Sequence, residues 1–228
     1  MLRTRLAGTE IGLLPSGAAF LPEFNTVLVA DAHFGKAVSF RKLGVPVPQG
    51  TTTETLDGLS AIVSETGAKQ IVFLGDFLHS ARSHAPATLD AIKRWRDDHA
   101  ALQLTLVRGN HDDRAGDPPA RLAIHVVDEP LMAGPFALCH YPKAREGAYV
   151  LAGHWHPCIS IRGRALQRMR LPCFWLGDDT GALPQNAVGV LPAFGAFTGM
   201  HRIEPREGDR IFPVAGDVVK EIPRLPIV

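Results

Sequence analysis

The sequence predicts an α/β fold built on two packed sheets, and three observations point there. The first half alternates short β-branched apolar runs with stretches of helical period, the pattern of strand–helix units sharing one sheet. The second half loses that period. It runs as brief strand candidates between Gly, Pro and Asp turns, which reads as a second, mainly antiparallel sheet packed on the first. No internal repeat, low-complexity tract or linker interrupts the pattern, so residues 1–228 are expected to form one domain.

The elements follow in order. Thr26–Ala30 (TVLVA) is a buried strand ending at Asp31. Residues 36–43 form a short helix and 44–50 (GVPVPQG) a proline-rich loop. Thr51 to Thr53 are candidate caps of the next helix. Its apolar residues Leu56, Leu59, Ile62 and Val63 lie three and four apart, and Gly67 stops it. Gln70–Leu74 (QIVFL) is a second strand, 87–99 a helix, and 102–107 (LQLTLV) a third strand running into Arg108-Gly109-Asn110-His111. Later strand candidates are 124–127, 136–139, 149–152, 159–161, 173–176, 187–191 and 200–203, with turns at Gly134-Pro135 and Gly163 and a polar loop at 177–185.

Composition narrows the class. The chain is 46% hydrophobic and 21% charged, as in ordinary globular proteins. Its formal net charge of +1 creates no molecule-wide pull on polyanions, so any such site is local or made by metal ions. No apolar run approaches the ~20 residues of a membrane span, and residues 1–10 lack a signal-peptide core. Cys139, Cys158 and Cys173 are odd in number and form no C-x-x-C pair. The expectation is a cytoplasmic protein with reduced, buried thiols and no membrane partner.

Five short motifs carry the chemistry: Asp31-Ala32-His33; Gly75-Asp76 followed by His79; Gly109-Asn110-His111-Asp112; His140; and Gly153-His154-Trp155-His156. Four sit where a predicted strand ends, the edge at which α/β sheets form ligand sites. Two-metal hydrolysis of a phosphate ester needs two ions, a bridging ligand and open positions for water and substrate oxygens. A carboxylate bridges naturally, because each oxygen reaches one ion. Neutral imidazoles and an amide oxygen complete the shells without cancelling the charge that must hold phosphate. Residues i and i+2 of an extended strand end project to one side, which suits D-x-H and H-x-H. Such N/O donors suit Mn, Fe or Zn better than Ca or a lone Mg. Each motif alone has an ordinary turn as its competing reading; the ordered set is specific.

That set is similar to the calcineurin-like metallophosphoesterase superfamily, across residues 31–156 with all five motifs intact. The resemblance implies a two-sheet sandwich flanked by helices (αββα) and two divalent ions. It assigns Asp31, His33 and His156 to one ion, Asn110, His140 and His154 to the other, and Asp76 to the bridge. His111 is then the non-ligand histidine facing the substrate. Residues 30–53, 75–80 (GDFLHS), 171–177 (LPCFWLG) and 191–201 (LPAFGAFTGMH) resemble more narrowly the bacterial ligase-associated DNA damage response endonucleases of the PdeM type. This implies DNA, single-stranded or flexible, as substrate. It also implies a functional association with an ATP-dependent DNA ligase, an exonuclease and an Lhr-type helicase. In the related G-D-x-x-H nucleases, the histidine matching His79 lies near the catalytic histidine.

Other residues keep two readings. Arg108 either clamps a phosphate oxygen or reaches solvent from a strand end. Asp112 either orients His111 or closes the turn, and Trp155 is read as packing before base stacking. Lys36, Arg41 and Lys42, with Arg162, Arg164, Arg168 and Arg170, either track a nucleic-acid backbone or line solvated surface. Phe174 and Trp175 read as core, Asp178 and Asp179 as a turn. The functional expectation is a DNA endonuclease. A small-molecule phosphoesterase acting on nucleotides or cyclic nucleotides is the alternative. A non-catalytic scaffold of the same fold is disfavoured because Asn110 and His111 are both present.

Overall fold

A computed structural model describes residues 1–47, 50–162, 168–178 and 187–223, without the side chains of Lys42 and Arg162. Seven strands form the first sheet: β1 (Leu2–Leu6), β2 (Thr9–Leu13), β3 (Ala19–Leu21), β4 (Thr26–Ala30), β5 (Gln70–Leu74), β6 (Gln103–Val107) and β7 (His125–Val127), in sequence order. The β1–β4 part is an antiparallel meander, and β4 to β7 run parallel. Helices α1 (Lys36–Lys42), α2 (Thr51–Thr66), α3 (Pro86–Asp98) and α4 (Asn110–Ala115) join the parallel strands.

The second sheet is built from β8 (Leu131–Ala133), β9 (Phe136–Leu138), β10 (Tyr149–Ala152), β11 (Pro157–Arg162), β12 (Arg168–Leu176), β13 (Val188–Val190) and β14 (His201–Arg202). Strands β15 (Arg210–Ala215) and β16 (Val218–Val219) pair onto its β12 flank. It is more mixed than expected. β10 runs parallel to both β9 and β13, and β11 parallel to β14, beside antiparallel pairs of β12.

Alternation along the central strands builds both cores. Val27, Val29, Ile71, Phe73, Leu104 and Leu106 turn toward Leu56, Leu59 and Ile62 of α2 and Leu89, Ile92 and Trp95 of α3. Their neighbours Leu28, Ala30, Val72, Leu74 and Val107 turn the other way, onto Phe136, Leu138, Tyr149, Leu151, Phe174 and Leu176 of the second sheet. Each fully buried large apolar side chain contributes roughly 1.5–3 kcal/mol. The cap of α2 departs from expectation. Its N-cap is Gly50 in a left-handed conformation with no side-chain bond, while Thr51 already lies inside the helix. Gly67, also left-handed, closes the C-terminus with its N–H on the Val63 carbonyl. Among the described residues no helix is long and apolar enough to cross a membrane.

Candidate metal centre

Each motif leaves the C-terminal end of a strand. β4, β5 and β6 end in register at Ala30, Leu74 and Val107, so Asp31, Asp76 and Asn110 start from one edge. β9 and β10, parallel neighbours, deliver His140 and His154 from the facing sheet. Past the strand ends the first two loops stay zipped. His33 N–H donates to the Asp76 carbonyl (2.8 Å) and Phe34 N–H to the Phe77 carbonyl (2.8 Å).

The backbone here is not a continued strand. Eight described non-glycine residues have positive φ, and five of them are Asp31, His33, Asp76, His154 and His156. Asp and His enter the left-handed region more readily than most residues, yet such positions still cost roughly 1–3 kcal/mol each. The i and i+2 side chains therefore converge through paired kinks, not through strand pleating, which corrects the reason inferred from spacing.

Two half-shells result, and Asp76 stands between them. Asp76 Oδ2 faces His33 Nε2 at 3.8 Å, and Oδ1 faces His140 Nε2 at 3.6 Å. On the first side, Asp31 Oδ2 lies 3.6 Å from His156 Nε2. On the second, His140 Nε2 lies 2.9 Å from Asn110 Oδ1 and 3.0 Å from His154 Nδ1. Second contacts fix the rings. His140 Nδ1–H donates to the Leu74 carbonyl (3.1 Å), and His156 Nδ1–H to the Gly199 carbonyl (3.0 Å). Each ring thus turns its Nε2 to the centre, the orientation metal-ligating histidines need.

The donor set fits cations. With Nδ1–H directed at the Leu74 carbonyl, a neutral His140 ring would set a bare Nε2 against the Asn110 amide oxygen, an arrangement a cation between them resolves. Asp31 and Asp76 are essentially fully buried, and Asp31 Oδ1 has no hydrogen-bond partner. No Lys or Arg ion pair neutralises either carboxylate among the described residues. Burying such groups is costly without a compensating positive charge. Burial accordingly raises the Asp76 pKa. Burial, then the Lys36 charge, holds His33 far below the usual imidazole range. Burial also lowers His154. Neutral imidazoles are the ligating form.

His111 stands differently. Its backbone N–H donates to Asp76 Oδ1 (3.0 Å) and its Nδ1–H to the His79 carbonyl (2.6 Å). Its Nε2 then faces Asp76, 3.9 Å from Oδ2. The His79 ring stacks on it at 4.7 Å, and burial, then the charges of His111 and Lys36, pulls His79 down to about 4. His33, His79 and His111 also form a three-nitrogen group of metal-binding dimensions.

Supporting residues hold the shells. Asp112 is fully buried and accepts N–H bonds from Leu78 (3.0 Å), Gly109 (3.1 Å) and Phe77 (3.3 Å), so it both closes its turn and clamps the Asp76 loop. Burial pushes it up to about 6 against those bonds. Glu129, which sequence reasoning misses, accepts from the His140 and Tyr141 N–H groups (2.9 and 3.0 Å) and from Arg145. Tyr141, also missed, packs edge-on to His140 and His154, both at 4.9 Å. Its only sequence signal is adjacency to His140. Motif glycines allow close approach: a Cβ on Gly109 would lie 2.5 Å from Asp76 Oδ1 and 2.6 Å from the Asp76 backbone nitrogen. Gly109→Ala is therefore expected to cost about 1–3 kcal/mol in the apo protein. It should also lower metal affinity, because a backbone atom cannot swing aside. Thermal unfolding with and without added Mn²⁺ checks both effects.

Other candidates spread out. The Arg108 guanidinium is engaged by Asp117 (2.9 and 3.0 Å) and by Asp128 in exposed ion pairs. Lys36 is half-buried beside the centre, where burial lowers its pKa against the pull of Asp31 and Asp76. Arg41 is exposed and donates toward the Val47 carbonyl (3.5 Å). The side chains of Lys42 and Arg162, and all of Arg164 and Asp179, lie outside the described residues. Arg168 and Arg170 are exposed on β12. Trp155 packs on Trp175 at 5.6 Å, away from the ligand rings, and Phe174 is fully buried. The three cysteines are buried and unpaired, with Cys173 pushed up to about 12 by burial.

The sequence matches no protein-family model and no curated protein. Among solved structures it is similar to the Pseudomonas putida nuclease MPE, with 41% identity over 97% of this chain and 99% of that one, at a TM-score of 0.83. It is far more loosely similar to the phosphoesterase YfcE from E. coli, at 15% identity over 85% of this chain and 90% of that one, TM-score 0.37. The extent and identity of the first match settle the family: this chain is a metallophosphoesterase of the family that includes the Pseudomonas putida nuclease MPE.

Proposed function

We propose that this protein is a metal-dependent phosphodiesterase that cuts DNA with two divalent ions, Mn first and Fe or Zn as alternatives. The observation that carries the reading is Asp76, whose two oxygens face two separate sets of donors. Asp31, His33 and His156 with Asp76 would hold one ion; Asn110, His140 and His154 with Asp76 the other. Bound ions supply Lewis acidity to the phosphoryl group and acidify the attacking water. His111, its Nδ1 proton committed to the His79 carbonyl, offers Nε2 to a phosphoryl oxygen or to the departing alkoxide. His79 stacks behind it and keeps that ring in place. The nuclease relative supports the DNA assignment. An unpaired or flexible strand suits a centre recessed at the edges of two sheets, and the net charge of +1 gives little general grip on duplex DNA. Association with a DNA ligase, an exonuclease and a helicase in repair belongs to the same reading.

The test strips the protein with chelator and restores Mn²⁺, Fe²⁺ or Zn²⁺ separately. A chromogenic phosphodiester, a phosphomonoester, and circular single-stranded and duplex DNA are compared. The expected result is about two metal equivalents bound, with diester hydrolysis and opening of the single-stranded circle in Mn²⁺. Preference for the monoester with both DNAs intact replaces the nuclease reading by the small-molecule one.

A further inference from the structure

One segment is tied to the metal centre yet supplies no ligand. Phe194 N–H donates to the Ala30 carbonyl (2.8 Å) and Gly195 N–H to the Asp31 carbonyl (3.3 Å). Four residues on, the Gly199 carbonyl accepts the His156 Nδ1–H (3.0 Å). The segment is thus anchored at both ends on first-side ligands, and Phe197 sits on the arch between, 36% exposed. Its ring meets Phe40 edge-on at 5.6 Å, Phe40 lies 6.0 Å from His79, and His79 stacks on His111. A row of rings therefore runs from the substrate-facing histidine to an exposed phenyl. A shallow depression opens beside the exposed end of this row, lined among others by His33, Lys36, Thr51 and Phe197. The Lys36 ammonium makes no ion pair or side-chain hydrogen bond among the described residues, although Asp31 and Asp76 act on its charge.

An isolated exposed Phe is commonplace. This one shares a depression with a metal-ligand candidate and with a half-buried lysine whose ammonium holds no ion pair among the described residues, and its segment is fixed to two motifs. We propose that the exposed face of Phe197, at the mouth of this shallow depression, stacks the nucleobase next to the scissile phosphate, with Lys36 beside the connecting phosphate; this rests on the nuclease reading above. Every base has a π-face, so such a platform is tolerant of sequence. A base in a regular duplex reaches the depression only by leaving its stack, which costs free energy that an unpaired base does not spend. Strand preference then resides in this subsite.

The experiment uses oligonucleotides with one cleavable diester, flanked by normal bases or by an abasic residue on its 5′ or 3′ side, with the Mn²⁺-loaded protein. Wild type should lose about 5- to 100-fold in kcat/KM on one of the two abasic strands. Phe197→Ala should lose a similar factor on the normal strand while no longer distinguishing normal from abasic, and Phe197→Trp should restore the distinction. Indifference of wild type to an abasic residue on either side overturns the platform. So does a Phe197→Ala variant in which normal and abasic strands fall by the same factor, the signature of a disturbed Gly199 tether. A wild type that cuts no oligonucleotide at all, while hydrolysing a chromogenic diester, overturns the nuclease reading and this inference with it.

Discussion

Asp76→Ala is expected to remove metal and hydrolysis together. Asp76 is the side chain whose two oxygens face different donor sets, so its loss weakens both shells at once and removes the negative charge between two cations. Activity should fall further than the roughly 10²–10³-fold typical for deleting one electrostatic stabiliser. The apo protein should respond less. Burial already raises the Asp76 pKa, which means that the ionised group is a burden on the fold without a cation. Unfolding temperature without metal should change little, while the rise on adding Mn²⁺, a mass-action effect of binding to the native state, should vanish. A variant that still binds two equivalents of metal shows that Asp76 does not bridge. Asp76→Asn separates shape from charge: it keeps one oxygen for the His111 N–H but loses the negative charge, and should fall between the two.

Parts of this architecture are readable from the chain. β4, β5 and β10 have the bounds that their apolar runs suggest, because strands buried on both faces leave continuous Val, Leu and Ile. α2 and α3 show their three-and-four spacing for the same reason, one face against a sheet. The meander β1–β3 is not among the elements that the sequence predicts. Leu2 to Leu6 does alternate, but short edge strands carry few apolar residues and the charged ones dominate. Parallel pairing of β10 with β13 joins segments separated by two other strands, and no local pattern encodes it. The site divides in the same manner. Ligand types and order are visible as motifs. The left-handed kinks that make them converge are not, since Asp and His carry no signature as clear as glycine. Least visible are the backbone acceptors. The carbonyls of Leu74, His79 and Gly199 set three histidine tautomers, and any residue type could supply them.

His111→Ala tests the opposite side of the division of labour. The substitution leaves the backbone N–H that donates to Asp76 Oδ1, so the bridging carboxylate keeps its orientation. None of the seven donors assigned to the ions is touched. Metal content should therefore stay near two equivalents, and the metal-induced rise in unfolding temperature should persist. Catalysis should not, because Nε2, aimed at the bridge by the bond from Nδ1–H to the His79 carbonyl, is the group positioned to meet charge on the phosphoryl oxygens or leaving group. Loss of such a group costs roughly 10²–10⁴-fold. The deficit should shrink for a diester with an acidic leaving group, which departs without a proton, if His111 is the acid. A constant deficit across leaving groups assigns it to charge stabilisation instead. A competing arrangement exists in the same centre: His33, His79 and His111 converge closely enough to hold an ion among themselves. In that case His111→Ala loses metal along with activity, and His79→Ala does the same. With His111 facing the substrate and not an ion, His79→Ala keeps its metal and loses only the part of the rate that a stacked, well-held His111 ring contributes.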